Sequence, residues 1–142
     1  MSEATIEQAP RPILPTLTDL NRPFWEGAAA GELRLQRCSD CSFLRYPISP
    51  TCPRCLGRRY EWERMSGHGE VASVIVFHQK YHPYWAQFVP YAVALIQLEE
   101  GARMFGDLPW DDPTQVKVGD EVEVAFDDRL ELTIPRWRLK PA

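Results

Sequence analysis

An 18-residue stretch decides the fold of this chain: CSDCSFLRYPISPTCPRC, from Cys38 to Cys55. It contains two Cys-x-x-Cys pairs, separated by ten residues. Each pair forms a tight turn whose two sulfurs can reach one metal ion, and the spacer is long enough for one hairpin that brings the pairs together. Thiolates suit Zn²⁺, because sulfur is a soft ligand and a d¹⁰ ion accepts a tetrahedron without strain. The stretch therefore predicts a small ribbon that holds one structural zinc ion per chain through Cys38, Cys41, Cys52 and Cys55.

Three other interpretations of the four cysteines stay open at this point. Two disulfides are possible, although a reducing cytosol disfavours them. A redox-active Cys-x-x-Cys pair is possible, but two such pairs side by side fit it poorly. Iron in a tetrathiolate centre is the third, and its usual cysteine spacing is longer than the one here. With cysteine at all four positions, no coordination position is left for water or substrate, so the predicted metal supports the fold and performs no chemistry.

Composition and charge bear on the class of partner. Hydrophobic residues make up 44% and charged residues 25% of the 142 residues, as in ordinary globular proteins. The formal net charge of −4 is uneven, because residues 1–65 carry +1 and residues 66–142 carry −5. Nucleic acids bind through summed attraction to cationic side chains, so the acidic C-terminal half argues against DNA or RNA. Met1–Gln8 lacks the apolar core of a signal peptide and the longest apolar runs are too short to cross a bilayer, so we expect a cytoplasmic protein without membrane contact.

Apolar and turn residues divide the chain into three parts. Residues 1–18, with three prolines, predict a flexible arm. Residues 19–65 predict a short helix that Asn21 caps and Gly31 ends, followed by the ribbon, with short strands at Leu33–Gln36, Phe43–Tyr46 and Tyr60–Met65. Residues 66–142 predict five strands, at Glu70–Phe77, Tyr91–Leu98, Arg103–Leu108, Glu121–Phe126 and Thr133–Leu139. Five short strands without a long helix predict a mainly β protein whose C-terminal part is a five-stranded barrel of the OB type.

The motifs of the chain also follow the order found in a known family. In sequence they are Phe24-Trp25-Glu26-Gly27, Gly31-Glu32-Leu33, Leu35-Gln36-Arg37-Cys38-x-x-Cys41, Pro47, Cys52-Pro53-x-Cys55, Ser66-Gly67-x-Gly69-Glu70-Val71 and Val116-x-Val118-Gly119-Asp120-x-Val122-x-Val124-x-Phe126. The ordered set resembles the acyl-CoA-associated zinc-ribbon and OB-fold proteins over residues 18–140. The resemblance implies an N-terminal helix, a rubredoxin-like zinc ribbon and a C-terminal OB-fold.

The same resemblance implies a function. Members of that family commonly act beside thiolase-like enzymes, among them archaeal acetoacetyl-CoA thiolase, the thiolase of anaerobic toluene degradation and steroid side-chain aldolases. In those assemblies the catalytic Cys and His belong to the thiolase-like chain, and the ribbon protein supports assembly or substrate binding. The resemblance therefore implies a non-catalytic accessory subunit in a hetero-oligomer with a thiolase-like subunit.

Two groups of residues are candidates for contact with the partner or with acyl-CoA. The segment 81–91 concentrates aromatic side chains between two strands, and a core this small cannot bury all of them. We predict an interface or pocket there, with a lid over one barrel end as the alternative; its residues are Tyr81, Tyr84, Trp85 and Phe88, together with Trp25 on the helix. Arg54, Arg58 and Arg59 form a basic patch beside the second cysteine pair. Arginine binds phosphate bidentately, so the patch is a candidate for the phosphates of coenzyme A, with a plain solvated surface as the alternative.

Two rival functions stay open. One is a nucleic-acid-binding ribbon and OB module, against which the net charge of −5 in the barrel counts. The other is a stand-alone acyl-CoA thioesterase or hydratase, for which the chain offers no paired nucleophile or carboxylate dyad. Nothing in the sequence indicates that His68, His78 and His82 converge, and the pairs Asp111-Asp112 and Asp127-Asp128 are predicted only to solvate turns.

Overall fold

The structure, a computed structural model, describes residues 10–141. The first half of the predicted flexible arm, residues 1–9, lies outside the described residues. Residues 10–18 have no regular secondary structure, and Arg11 among them forms an ion pair with Glu131. The described part contains two α-helices, α1 (Arg22–Ala29) and α2 (Pro83–Ala86), and a 3₁₀ helix (Pro113–Gln115). None of these described helices is long and apolar enough to cross a membrane.

Helix α1 buries one apolar face, as its sequence spacing predicts. Pro23 lies in its first turn, where a missing backbone N–H costs no hydrogen bond. Phe24 and Ala28 lie one turn apart and are both buried. Trp25 packs edge-on against Phe24, with 4.9 Å between the ring centroids. The helix therefore joins the core through Phe24 and Ala28.

The two ends of α1 differ in how well they were predicted. Gly31, with φ of +77°, follows the helix in the left-handed conformation that terminates helices, so the predicted end is confirmed. The predicted side-chain cap is wrong. The Asn21 amide oxygen accepts from the N–H of Thr18 at 2.7 Å, and its amide nitrogen donates to the carbonyl of Thr16. The Asn21 side chain therefore fixes the turn before the helix and accepts no hydrogen bond from a helical N–H group.

The predicted ribbon is a three-stranded antiparallel sheet in the order β2-β1-β3. Its strands are β1 (Arg34–Cys38), β2 (Leu44–Arg45) and β3 (Tyr60–Arg64). Gln36 in the central strand lies opposite Arg45 on one side and Trp62 on the other. Leu33 and Leu35 are buried, as the alternation in the sequence predicts, but Gln36 is fully buried as well. Because β1 ends at Cys38, the first cysteine pair begins at the end of this sheet.

The five predicted strands of the C-terminal part are confirmed, with bounds that shift by at most two residues. They are β4 (His68–Phe77), β5 (Tyr91–Leu98), β6 (Arg103–Leu108), β7 (Glu121–Asp127) and β8 (Ile134–Leu139), antiparallel in the order β6-β5-β4-β7-β8. Along β5 every second residue is buried. Ser66, where the sequence places the boundary between ribbon and barrel, lies in the connection between β3 and β4, and that division stays a prediction.

The edge strands β6 and β8 meet through their side chains, which closes the sheet into a barrel. A β-carbon at Gly106 on β6 would stand 2.1 Å from Cδ1 of Trp137, the fully buried tryptophan of β8. Only glycine allows this approach without displacement of the ring. One cluster of buried apolar side chains runs from Phe24 and Leu35 to Trp137. Helix, ribbon and barrel therefore share one hydrophobic core.

Candidate metal centre and contact sites

The four predicted metal ligands come together at the end of the ribbon, with all four sulfur atoms within 4.8 Å of one another. The closest pairs join the two halves of the motif, since 3.6 Å separates Cys38 Sγ from Cys55 Sγ and Cys41 Sγ from Cys52 Sγ. Around a tetrahedral ion with Zn–S bonds of about 2.3 Å, the sulfurs lie about 3.8 Å apart. A disulfide needs about 2.05 Å, and all four cysteines are free. The donor set therefore fits one metal ion and does not fit two disulfides.

The two Cys turns, residues 38–42 and 52–56, have the same backbone conformation. The N–H of Ser42 donates to the carbonyl of Cys38 at 3.0 Å, and the N–H of Leu56 donates to that of Cys52 at 2.9 Å. Ser42 and Leu56 occupy the left-handed region, with φ of 66° and 63°. Residues other than glycine rarely adopt this conformation. The repeated geometry makes each turn present its two sulfurs toward the same point.

Backbone N–H groups and neighbouring sulfurs set the pKa values of these thiols. Burial by itself raises the pKa of Cys38, but the N–H of Cys41 and the side chain of Arg45 are among the groups that lower it to about 6. The N–H of Gly57 lowers the pKa of Cys55, whereas the sulfur of Cys41 and burial outweigh it and raise the pKa to about 12. Four thiols this close cannot all lose their protons unless a cation compensates the charge, and a bound metal ion does so.

Arg45 on β2 is a charged residue beside the centre that was not predicted from the sequence. Its side chain is fully buried. Nη1 donates to the carbonyl of Ser49 at 3.1 Å, and Nη2 donates to the carbonyls of Gly57 and Arg59 at 3.2 Å each. The guanidinium also lies over the ring of Tyr60, 4.9 Å from its centroid. The signal available in the sequence is one charged residue inside the apolar segment that follows the first cysteine pair.

The aromatic segment includes helix α2 and shares a cavity with residues of β5, β6 and β8. Tyr84, Trp85 and Phe88 pack against one another with ring centroids 4.9 to 6.2 Å apart, and they line a cavity of about 90 Å³ that we call the aromatic cavity. Tyr81 lies outside this cavity and is 74% exposed. Trp25 lines a different groove, of about 340 Å³, between α1, the ribbon and β8. The structure therefore brings three of the five predicted aromatic contacts together.

Charged side chains also line the aromatic cavity. Arg136 on β8 is buried, donates from Nε to Asp127 Oδ2 at 2.7 Å, and donates from Nη1 to Asp107 on β6. Its guanidinium carbon lies 5.8 Å from the centroid of the Trp85 ring. Arg129 binds both carboxylate oxygens of Asp127 at 2.8 Å. This network joins β6, β7 and β8 directly beneath the aromatic side chains.

The same network corrects the prediction for the aspartate pairs. The side chain of Asp127 is 2% exposed and does not merely solvate a turn. Hydrogen bonds from Arg129 and Arg136 hold its pKa below the usual range, although burial opposes them. Asp111 accepts a hydrogen bond from the N–H of Leu139 at 2.9 Å, so it too has a structural role. The prediction was wrong for Asp111 and Asp127 because it considered only neighbours along the chain, whereas Asp112 and Asp128 are exposed in turns as predicted.

The three arginines of the predicted basic patch do not form one unit. Arg54 lines a groove of about 530 Å³ with Arg37 and Arg103, between the ribbon and the β5–β6 turn, which we call the arginine groove. Arg58 and Arg59 do not line it. Arg58 is exposed, and Arg59 forms an ion pair within the ribbon. Arg37 and Arg103 were not among the predicted residues, because the three arginines of the groove come from separate elements.

Two of the three histidines, His68 and His78, are far apart. His68 is the first residue of β4 and His78 follows its last residue, so an extended strand of about 30 Å lies between them. His82 begins α2, where its Nδ1 accepts a hydrogen bond from the N–H of Tyr84 at 3.1 Å. His68 and His78 therefore cannot act on one substrate atom.

Two domain profiles of one family match consecutive parts of the chain. The profile described as the ChsH2 rubredoxin-like zinc ribbon domain matches residues 25–61. The profile described as the ChsH2 C-terminal OB-fold domain matches residues 62–127. Their order agrees with the ribbon and the barrel of the structure.

Three curated relatives carry names from acyl-CoA metabolism or protein assembly. A probable enoyl-CoA hydratase alpha subunit of Thermomonospora curvata is 36% identical over 135 residues, which cover 93% of this chain and 42% of the relative. A DUF35 domain-containing scaffold protein of Methanocaldococcus jannaschii is 37% identical over 63% of this chain and 64% of its own length. The benzoylsuccinyl-CoA thiolase subunit BbsA of Thauera aromatica is 29% identical over 78% of this chain and 76% of its own length. The chain thus spans less than half of the hydratase subunit.

A solved structure has the same arrangement of ribbon and barrel. It is described as the Ltp2-ChsH2(DUF35) aldolase, and the match covers 89% of this chain and 98% of the solved chain. The two are 35% identical, with a TM-score of 0.77. The similarity therefore extends over both parts of the chain and over nearly all of the solved one.

Proposed function

Because this chain belongs to the DUF35 family, whose ChsH2 members join a zinc ribbon to an OB-fold, we propose that it is a non-catalytic accessory subunit of an acyl-CoA enzyme. The enzyme would be a thiolase or a thiolase-like aldolase. The match to a chain of the Ltp2-ChsH2(DUF35) aldolase, over 98% of that chain, carries this proposal. Two relatives support it by their names, one a thiolase subunit and one a scaffold protein. We expect a hetero-oligomer with a thiolase-like subunit.

In this proposal Cys38, Cys41, Cys52 and Cys55 hold one zinc ion. Bound there, the ion supplies a cross-link between the two Cys turns, and four sulfur donors leave it no open position for water or substrate. Such a site contributes on the order of 10 kcal/mol to folding, as much as the whole stability of a small domain. Iron in the same four-sulfur shell would have the same structural role.

We do not propose hydratase activity for this chain from the name of its hydratase relative. The matched region covers 42% of that alpha subunit, so the hydratase activity is that of a longer protein. The separation of His68 from His78 supports a chain that leaves the chemistry to its partner. A stand-alone thioesterase or hydratase needs an acid or base within hydrogen-bond reach of its reacting group.

The aromatic cavity is our candidate for contact with the partner. Ligand pockets usually measure about 300–1,000 Å³, whereas this cavity measures about 90 Å³. It therefore suits one inserted side chain of a partner subunit, or the thin pantetheine arm, better than a whole acyl-CoA. Trp85 and Tyr84 offer the rigid aromatic surface from which interface hot spots are often built. The groove beside Trp25 is a second, separate candidate.

The arginine groove is our candidate for the phosphates of coenzyme A. Its volume of about 530 Å³ is in the range of a ligand pocket. Arg37, Arg54 and Arg103 line it, and its acidic residue Glu100 already accepts a hydrogen bond from the N–H of Ser66 at 2.6 Å. The balance of charge at the groove is positive, although the C-terminal half is acidic as a whole. Arginine can bind phosphate through two parallel hydrogen bonds.

The experiment that tests the function is co-expression with the thiolase-like protein whose gene lies nearest to the gene of this chain. A tag on this chain should recover the partner, and the partner's acyl-CoA turnover or solubility should fall when the chain is omitted. The chain alone should turn over no acyl-CoA. Thioesterase or hydratase activity of the isolated chain, abolished by replacement of His68, His78 or His82, would contradict the non-catalytic role.

Two variants separate the aromatic cavity from the rest of the aromatic segment. Trp85→Ala should weaken the complex by about thirtyfold, which corresponds to about 2 kcal/mol, because it removes the central aromatic side chain. Tyr81→Ala removes an aromatic from the same segment but outside the cavity, so we expect a smaller loss. Zinc content and melting temperature of both should stay close to those of the wild type. A Trp85→Ala protein that melts far lower yet binds its partner normally would assign Trp85 to the core.

The arginine groove is tested by coenzyme A itself. Arg54→Gln and Arg103→Gln should each weaken binding of coenzyme A. They should affect binding of pantetheine, which carries no phosphate, much less. The reason is that only coenzyme A carries the phosphates that the arginines would bind. Equal affinities of wild type and variants for coenzyme A would exclude the groove.

A further inference from the structure

Arg45 places a full positive charge inside the ribbon without a carboxylate beside it. Its side chain has 0% exposure. All three of its hydrogen bonds go to backbone carbonyls, and in the described part of the chain its Nε has no partner. A buried charge without a compensating charge costs several kcal/mol. Such a residue is expected to persist only where something nearby carries negative charge.

Two other arginines of the ribbon, Arg34 and Arg37, show the contrast. Arg37 forms an ion pair with Glu63 at 2.6 Å, and Arg34 forms one with Glu32 at 2.8 Å. Arg45 alone among these three donates only to neutral groups. Carbonyl dipoles and the nearby aromatic ring lessen the cost of its burial but supply no full negative charge.

The four cysteines supply the missing charge once they hold a divalent ion. Four thiolates and one divalent cation sum to a net charge of −2. The carbonyls that Arg45 binds include those of Gly57 and Arg59, which directly follow the second Cys turn, and β2 itself follows the first. The hydrogen bonds of Arg45 therefore connect β2, which follows the first Cys turn, to the segment that follows the second.

We infer that Arg45 is the internal counter-cation of the four-cysteine centre, whose charge compensates the bound tetrathiolate and strengthens retention of its metal ion. Arg45 is a positioning residue and does not touch the ion. Residues that surround metal ligands typically change metal affinity by about 10–100-fold when they are replaced. The inference rests on the proposal that the cysteines hold a divalent ion, and it needs no partner subunit.

The test compares three variants that separate the charge of Arg45 from its hydrogen bonds. Arg45→Lys keeps the charge and loses the planar set of guanidinium N–H donors. Arg45→Gln keeps amide donors and loses the charge, and Arg45→Met loses both. The full-length zinc protein is titrated at constant pH with the chromophoric chelator 4-(2-pyridylazo)resorcinol, and the dissociation constant for zinc is measured. Arg58→Gln is the matched control, because it removes an exposed positive charge just after the second Cys turn.

Arg45→Gln and Arg45→Met should bind zinc about 10–100-fold more weakly than the wild type. Arg45→Lys and Arg58→Gln should stay within about threefold, the first because the charge is kept and the second because water screens an exposed charge. Zinc binding by Arg45→Gln as tight as that of the wild type would overturn the inference. So would an Arg45→Lys protein that binds zinc as weakly as Arg45→Met.

Failure to fold does not leave the inference undecided. If the two neutral variants are insoluble, Arg45→Lys decides alone, because a soluble, zinc-loaded protein supports the role of the charge and a zinc-free one refutes it. A result that refutes the role of Arg45 can also be distinguished from one that refutes the proposed metal centre. A wild-type chain that folds without metal would refute the metal centre itself, whereas a zinc-loaded wild type with unaffected variants would refute only the role of Arg45.

Discussion

Replacement of Arg136 by methionine removes the cation that joins the two edge strands of the barrel. Arg136 on β8 pairs with Asp107 on β6 and with Asp127 at the end of β7, and only 6% of its side chain is exposed. The side chains of Asp107 and Asp127 are 17% and 2% exposed. Methionine keeps most of the apolar length of arginine, so the variant tests mainly the charge and its hydrogen bonds.

The expected cost depends on what the two carboxylates retain. Removal of one partner of a buried ion pair costs about 3–5 kcal/mol of the free energy of unfolding, because the other charge stays buried. Asp127 retains Arg129, which bonds both of its oxygens. Burial already raises the pKa of Asp107, so this carboxyl can take up a proton once the cation is lost. We therefore expect the lower end of the range, about 3 kcal/mol, or roughly 10 °C in melting temperature for a chain of this size.

The matched control is Arg138→Met, two residues along the same strand. Arg138 is 56% exposed and pairs with Glu123 at 2.8 Å, and exposed pairs of this kind contribute less than about 1 kcal/mol. The free energy of unfolding is measured by urea denaturation of the zinc-loaded proteins, followed by tryptophan fluorescence. Addition of Asp127→Asn to Arg136→Met should cost less than its effect in the wild type, because the two residues interact. Equal losses for Arg136→Met and Arg138→Met would refute the idea that this network holds the barrel closed.

Cys52→Ser, at a buried ligand, should remove the zinc and the cooperative melting transition, as elemental analysis and circular dichroism can establish. Well-folded protein without any metal would contradict the site. Because its hydrogen bonds lower the pKa of Asp127, this carboxylate stabilises the fold above the unfolded aspartate pKa of about 3.9, and that stability is lost as the pH falls toward the lower folded value. Urea denaturation between about pH 5 and pH 3 should therefore show a smaller loss in Asp127→Asn than in the wild type. Finally, the charge of −5 over residues 66–142 predicts no appreciable binding of single-stranded DNA at physiological salt, and submicromolar binding in a fluorescence anisotropy titration would favour the nucleic-acid-binding alternative.

Features that depend on near neighbours in the chain were predictable from the sequence. The two cysteines of each Cys turn are three positions apart, so the spacing of Cys38 and Cys41 already determines that both sulfurs can reach one ion. The alternation along β5 likewise follows from the two-residue repeat of a strand, and it predicted the bounds Tyr91–Leu98 without error. The five strands, the ribbon and the metal ligands could be predicted for this reason.

Features that depend on which elements become neighbours were decided only by the tertiary structure. Asp107 and Arg136 are 29 residues apart, and nothing local indicates that the strands carrying them close the barrel side by side. Arg37, Arg54 and Arg103 line one groove although they lie in β1, the second Cys turn and β6. The same holds for Arg45, whose burial depends on loops that follow it in the chain. Periodicity records which face of an element is apolar, but the partner of a charge is chosen by the packing of elements in space, because electrostatic and hydrogen-bonding energies depend on distance and burial and not on separation along the chain.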